Sequence, residues 1–215
     1  MIVYLDNDEL LKLVAWDLLD ETLKVLGATR DDVRILGSAK FRLRKCRSDP
    51  KYGGSTTFVR LELLYADLAC IQDEPDGYAD LVAVNGIDQG EGMLIGHATS
   101  TECAYLTTGD KRCLKALTAP ELSAYRSKLA GKVVCVEAAI EALIHSVGFE
   151  RVRDQVLTVP GCDMSIAVAF GSRMATSKES ALEALEHYID ELPSDLLFRK
   201  KGEPTQNSSG DDVRR

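Results

Sequence analysis

At 215 residues, with 45% hydrophobic and 28% charged side chains, the chain has the composition of one medium-sized globular domain or of one domain with an extension. It has no apolar run near the roughly 20 residues that span a bilayer. Its first residues, MIVYLDNDELL, lack a basic region and place acids within the apolar stretch, so no signal peptide is expected and the expected setting is a reducing cytoplasm. The net charge of −8 taken as a sum argues against a nucleic-acid partner.

Ile2–Leu5 reads as a short buried strand that ends at Asp6. Apolar residues then recur at helical spacing from Leu10 to Leu26, and Gly27 closes the pattern. Residues 30–48 read as a short helix and a basic segment, and 48–55 as a loop by its Pro and Gly content. Residues 56–71 read as one helix carrying Phe58, Leu61, Leu64, Tyr65 and Leu68 on a stripe. A turn and the short apolar piece ADLVAV follow, and a helix is expected to open near residue 89. Residues 103–107 form the second strand candidate and run into Thr108, Gly109 and Asp110. KRCLKAL is helical, 119–131 a polar helix or connection, 132–136 a third strand and 137–147 a helix. MSIAVAF (164–170) fits a strand or a buried helix equally well. Residues 176–192 form a helix with a capping box of Thr176 and Glu179.

Strands separated by helices imply an α/β fold, a three-layer α/β/α sandwich around a parallel sheet, with ligands at the rim formed by the strands' C-terminal ends. The expected division is a domain over 1–150, a helical extension packed on it over 151–198, and a disordered polar tail over 199–215.

Charge is unevenly placed. Six cations, Lys40, Arg42, Arg44, Lys45, Arg47 and Lys51, face only Asp49 in one stretch, whereas 73–91 carries Asp73, Glu74, Asp76, Asp80, Asp88 and Glu91 and no Lys or Arg. An acidic region for divalent cations beside a basic segment for phosphates suits a phosphodiester enzyme. Asp6 and Asp110 after strands and Glu91 at a helix start are far apart in sequence yet are expected at one rim. Asp88, three residues before Glu91, shares its helix face. The six cysteines show no metal-like spacing and are expected as mostly buried free thiols, with nothing requiring Cys103 and Cys113 to pair. His97 reads as a half-buried helix residue; His145 and His187 suggest no triad. Lys111 is placed to pair with Asp110 or to face a phosphate.

The segments IVYLDNDELLKLV, Asp88-Gln89-Gly90-Glu91 and Tyr105-Leu106-Thr107-Thr108-Gly109-Asp110-Lys111 together resemble the PIN-domain nucleases, with Asp8 where that family usually has Asn or Ser. The resemblance covers about residues 1–150. It implies a PIN-like metal-dependent ribonuclease using Mg²⁺ or Mn²⁺, with Asp6, Glu91 and Asp110 catalytic and metal-holding, and Asp88 a ligand or supporting acid. It also implies additional contributions from Glu62 (within RLELLYADL), Asp8, Thr107 and Thr108, and an RNA substrate gripped by Lys40, Arg42, Arg44, Lys45 and Arg47. A toxin role with an antitoxin-like partner, or a homodimer, is implied by analogy. Two alternatives stand beside it: a haloacid-dehalogenase-like phosphatase with Asp6 as nucleophile, and a catalytically inactive PIN-like binding module.

Overall fold

A computed structural model describes residues 1–171 and 175–199, except for the side chains of Arg42, Leu43 and Lys45. Its centre is a five-stranded, all-parallel sheet: β1 (Ile2–Leu5), β2 (Val33–Leu36), β3 (Ala69–Ile71), β4 (Ala104–Thr107) and β5 (Val133–Val134), in the order β3-β2-β1-β4-β5. Twelve helices surround it among the described residues: α1 (Asn7–Ala15), α2 (Leu19–Val25), α3 (Ala39–Lys45), α4 (Gly54–Asp67), α5 (Tyr78–Ala83), α6 (Gln89–Ser100), α7 (Lys111–Ala116), α8 (Ser123–Leu129), α9 (Val136–Val147), α10 (Phe149–Thr158), α11 (Met164–Ala169) and α12 (Lys178–Asp190). The expected α/β/α sandwich with a parallel sheet is therefore the observed architecture.

Alternation along each strand divides the interior into two layers. Val3 and Leu5 of β1, Val33 and Ile35 of β2 and Val134 of β5 enter one cluster with Leu10, Leu13 and Trp16. Tyr4, Leu36, Ala104, Leu106 and Val133 enter the other, against Leu81 of α5, Leu94 and Ile95 of α6 and Leu114 of α7. Strands buried on both faces are near-continuous apolar runs because neither set of side chains meets water. The chain builds β1, β2 and β3 outward, then crosses back through α5 and α6 to lay β4 on the other side of β1. The strand order reverses between β1 and β4, so the loops after these two strands diverge and leave a crevice at their C-terminal ends. Asp6 and Asp110 stand on those two loops.

Helix α1 ends at Ala15 with Trp16 as its cap, and Asp17 beyond it adopts a left-handed conformation (φ 57°) while Leu18 N–H reaches back to the Leu13 carbonyl at 2.8 Å. This is the six-residue C-terminal closure usually made with Gly; Asp tolerates it better than most residues. Helices α10, α11 and α12 contribute Phe149, Val152, Ile166, Phe170 and Leu185 to the same core as β1. The chain then runs beside the outer edge of β5, where Val133 N–H donates to Leu196 O at 2.9 Å and Phe198 N–H donates to Val133 O at 2.7 Å. An edge strand paired in this way offers fewer free backbone groups to other chains.

Several local expectations are corrected. The segment 30–48 contains a strand, β2, before its helix, because Val33, Ile35 and Leu36 need the sheet to bury them while Arg34 folds its guanidinium back onto the carbonyls of Asp31 and Val33. The helix expected over 56–71 ends at Asp67, and its last residues are strand β3; a three-residue strand carries too short a pattern to read against the helical stripe before it. The expected loop at 48–55 holds a 3₁₀ turn, Pro50–Tyr52, and the start of α4. ADLVAV lies in α5, and MSIAVAF resolves to helix α11. Ser177, not Thr176, caps α12, accepting from Ser180 N–H. All six cysteines are free, with Cys103 exposed and Cys113 buried, so those two are not paired. The tail expected to be disordered lies outside the described residues beyond Arg199, which pairs with Asp190 at 3.1 Å.

Candidate acidic cleft

The crevice at the switch point is a cleft of about 520 Å³. Strand β1 ends in Asp6, whose backbone (φ −65°, ψ 150°) is still extended and whose N–H donates to Thr107 O on β4 at 3.0 Å. Asp6 holds the N-cap position of α1 yet makes no side-chain cap bond, and its carboxylate lines the cleft. A cap residue normally spends its side chain on the helix's unpaired N–H groups.

Asp88 and Glu91 form a capping box at the start of α6. Glu91 N–H donates to the Asp88 carboxylate at 2.8 Å, and Asp88 N–H donates to the Glu91 carboxylate at 2.7 Å. Gly90 between them has a physical reason: a Cβ there would come within 2.9 Å of a Leu36 methyl. The glycine lets α6 press against β2 and brings both acids into the cleft. Glu91 is only 9% exposed. Burial, together with Asp88, Asp110 and Asp6, pushes its carboxyl up to about 7.

Asp110 caps α7, accepting from Arg112 N–H at 2.8 Å and Cys113 N–H at 3.2 Å, and pairs with the Arg112 guanidinium at 2.9 Å. Burial alone would raise its carboxyl, but these donors outweigh it and hold Asp110 below the usual carboxylate range. The thiol of Cys113 beneath is pushed up by burial and then by Glu91, Asp110, Asp88 and Asp6 in turn, which registers how closely the four acids crowd together.

Two residues that the sequence reading passed over complete the floor. Glu9 is 1% exposed and Lys12 is 9% exposed. The Lys12 ammonium lies 2.9 Å from Asp8, 3.4 Å from Glu9 and 3.0 Å from Asp163. These three carboxylates outweigh burial and hold Lys12 protonated, while burial pushes Glu9 up to about 8. The available signal was an i,i+3 charged pair inside the buried run of LDNDELLKLV, where both residues fall on a helix with almost no exposed face. Asp163 caps α11 as well, so the C-terminal helices reach the floor of the cleft.

Three buried polar atoms have no hydrogen-bond partner in the protein among the described residues: Asn7 Oδ1, Glu9 Oε2 and Thr107 Oγ1. Asn7 and Glu9 lie in the first turn of α1, and Thr107 ends β4. Asn7 uses its amide N–H₂ on Ser38 Oγ at 3.4 Å. A Cβ on Gly109 would meet a Glu9 carboxylate oxygen at 2.8 Å, so the TTGD turn passes directly over Glu9. Thr108 is buried, and its hydroxyl accepts from Asp110 N–H at 3.4 Å.

Other candidates fall elsewhere. Glu62 is exposed on α4 and lines a separate groove with Lys40, Arg44, Phe58 and Tyr65, not the cleft. Asp8 lies at the cleft, exposed and tied to Lys12. Lys111 pairs with Glu191 in place of Asp110. The His97 ring contacts Asp73 O at 2.8 Å, and His97 is half-buried as expected. Lys40 and Arg44 are exposed, Arg47 lies over the Phe58 ring at 5.3 Å, and the side chains of Arg42 and Lys45 lie outside the described residues.

Among the described residues, no group of three or more His, Cys, Asp or Glu side chains is placed to hold a metal ion in the conformation seen. The capping box engages one oxygen each of Asp88 and Glu91, and the Arg112 guanidinium lies against Asp110. The donor set itself suits a hard cation: oxygen ligands only, in carboxylate excess, beside buried oxygens without partners.

Fold and cleft together define a parallel α/β protein with an acid-rich site at its topological switch point. No protein-family model matches the chain, and neither a curated protein nor a solved structure matches it.

Proposed function

We propose that this protein is a divalent-metal-dependent nuclease of PIN-like type that hydrolyses RNA phosphodiester bonds. The observation that carries the reading is the gathering of Asp6, Asp88, Glu91 and Asp110, from three separate loops, in one crevice where carboxylates outnumber cations. Burial first, and then the neighbouring carboxylates of Asp88, Asp110 and Asp6, raise the Glu91 carboxyl, so the site disfavours its own negative charge. A bound cation relieves the repulsion among these carboxylates.

Asp6, Glu91 and Asp110 would hold Mg²⁺ or Mn²⁺, with Asp88 supporting Glu91 through the capping box. Such an ion, when bound, would supply activation of a water and neutralisation of negative charge on the scissile phosphate. The chain's own part is to keep the carboxylates fixed on strand ends and helix starts, where backbone hydrogen bonds limit their movement. A cation there would hold Glu91 ionised against the upward push of burial, and Arg112, 79% exposed at the side chain, is the cation beside Asp110 that a phosphate would meet. Thr107 and Thr108 would orient a ligand through their hydroxyls.

The test is cleavage of RNA with Mn²⁺, Mg²⁺ or EDTA, comparing wild type with Asp6→Asn and Asp110→Asn. Metal-dependent cleavage that survives both substitutions sinks the proposed site. The Asp110–Arg112 pair favours one second reading, an inactive binding module in which Arg112 takes the place of the ion. Absence of saturable Mn²⁺ binding by the purified protein decides for that module.

A further inference from the structure

The acidic cleft opens into a second groove on one side and ends beside α3 on the other. Toward α7 it continues into a groove of about 780 Å³ that shares Asp88, Glu91 and Arg112 with it and adds the exposed Lys115 and the Asn85–Gly86 turn. Toward α3 the lining ends at Ser38, the residue immediately before that helix. Helix α3 then presents Lys40, Phe41 and Arg44 to solvent, over a groove of about 300 Å³ walled by Phe58 and Tyr65 of α4.

Phe41 is 68% exposed, with the Arg44 guanidinium over its ring at 6.0 Å. The pattern repeats along the same stretch, where Arg47 covers Phe58 at 5.3 Å and Lys51 covers Tyr52 at 4.9 Å. Aromatic faces beside cations bind unpaired nucleobases: the ring stacks on the base and the cation meets its phosphate. A duplex keeps its bases stacked on one another and cannot use such a ring. These cations stand out on a chain of net charge −8; α3 follows β2 and α7, with Arg112 and Lys115, follows β4, the strands on either side of β1.

We propose that the α3 face (Lys40, Phe41, Arg44) and the α7 groove (Arg112, Lys115) are two arms of one track that holds an unpaired RNA strand across the acidic cleft. Phe41 stacks on a base on one side, and Lys115 pairs with a phosphate on the other. Glu62, set among the cations of the α3 groove, weakens that arm. The proposal rests on the nuclease reading for its choice of RNA. It is tested without catalysis.

The experiment is fluorescence anisotropy in EDTA with 5′-labelled, non-self-pairing RNA of about 20 nucleotides and the same sequence annealed to its complement, at about 50 and 200 mM salt. Phe41→Ala is expected to weaken single-strand binding about tenfold without changing its salt dependence. Lys115→Ala is expected to weaken binding and to reduce the salt slope by about 0.7, the loss of one phosphate contact. Glu62→Gln is expected to tighten binding, and the duplex to bind more weakly than the single strand. Phe41→Leu, measured beside circular dichroism of every variant, separates loss of the ring from loss of fold.

Equal binding of duplex and single strand overturns the track. So does a Phe41→Ala protein that binds like wild type, or displacement of RNA by polyglutamate with no effect of Phe41→Ala, which marks a general patch for acidic polymers or proteins. Binding that follows the expected pattern in a protein with no Mn²⁺-dependent cleavage supports the track and sinks only the nuclease reading. Cleavage with binding indifferent to Phe41 and Lys115 overturns only the track.

Discussion

In the hollow between α1, α2 and α4, Asp17 faces Arg60 at 3.5 Å, Asp20 faces Arg30 at 2.6 Å and Glu21 faces Arg151 at 2.6 Å. Three carboxylates there meet four cations, Lys24 included. In the cleft after β1 and β4, Asp6, Asp8, Glu9, Asp88, Glu91 and Asp110 meet only Lys12 and Arg112, six carboxylates to two cations. The residue types are the same, but the pairing and burial differ. At the first hollow each carboxylate has its own arginine, so no negative charge is left over for a cation to offset. The cleft buries Glu9 and Glu91, whose carboxyls are pushed up, and Asp6, Asp8, Asp88 and Asp110 still outnumber Lys12 and Arg112, which is the condition under which a bound cation gains most.

The largest effect follows from the excess charge. Asp6→Asn and Asp110→Asn should each lower Mn²⁺-dependent RNA cleavage by on the order of 10³-fold, read in single-turnover assays. Asp20→Asn, in the paired hollow, should leave the rate within about twofold. Asn is as good a helix cap as Asp, so the Asp110 variant keeps α7 intact. Equal losses at Asp20 and Asp110 break the comparison, since the two hollows then matter alike.

Lys12 and Arg30 give the next contrast, in stability. Removing a buried cation leaves its carboxylates uncompensated, which costs about 3–5 kcal/mol. Lys12→Met should lower the urea unfolding free energy by about 3 kcal/mol, because Asp8 and Asp163 retain access to water and share the loss with Glu9. A loss below about 1 kcal/mol means the floor of the cleft is as wet as the first hollow.

Both ends of this contrast were unequally legible in the sequence. Asp6, Asp88, Glu91 and Asp110 were found because a strand end, a D-x-G-E helix start and a TTGD turn are local patterns, and the parallel order puts them on one rim. Glu9 and Lys12 were passed over because a charged pair on an apolar helix reads as a solvated face. Only the packing of α1 against the C-terminal helices, with Asp163 reaching in, shows that no such face exists. Glu62 failed in the opposite way: its apolar neighbours suggested the motif, but the helix phase sends Leu61 and Leu64 inward and Glu62 out. Strands β2 and β3 do not show in the sequence because they are fixed by long-range pairing, β2 with β1 and β3 with β2, which a short window does not contain.

Glu91 sharpens the comparison by pH. Its carboxyl is near 7 in the folded chain against 4.5 in an unperturbed one. Between those values the unfolded chain releases the proton first, so this group removes stability as pH rises from 4.5 to about 7. Glu91→Gln, which preserves the capping box, should therefore stabilise the metal-free protein at pH 8 by about 1–2 kcal/mol, allowing for the half-open cleft, and by nothing at pH 4. Mn²⁺ at pH 8 should raise the melting temperature of wild type more than that of Glu91→Gln. A variant no more stable than wild type at pH 8 shows that the cleft does not hold Glu91 under charge strain.

The smallest effect belongs to the paired hollow. Arg30 donates two hydrogen bonds to Asp20, at 2.7 and 2.6 Å, and holds that carboxyl below the usual range. A depressed acid contributes stability above its unfolded value, near 3.8, and loses it as pH falls through the folded one. Both side chains are close to half exposed, so water and salt screen the pair. Arg30→Ala should cost only about 0.5 kcal/mol at pH 7, less in about 1 M salt, and progressively less as pH falls below 3.8. Its good geometry makes it the severest test of the distinction, because bidentate Arg–carboxylate pairs are the surface pairs with most to lose. A cost approaching that of Lys12→Met, measured in the same urea titration, would mean that pairing alone sets the energetics of both hollows and that burial at the cleft adds nothing.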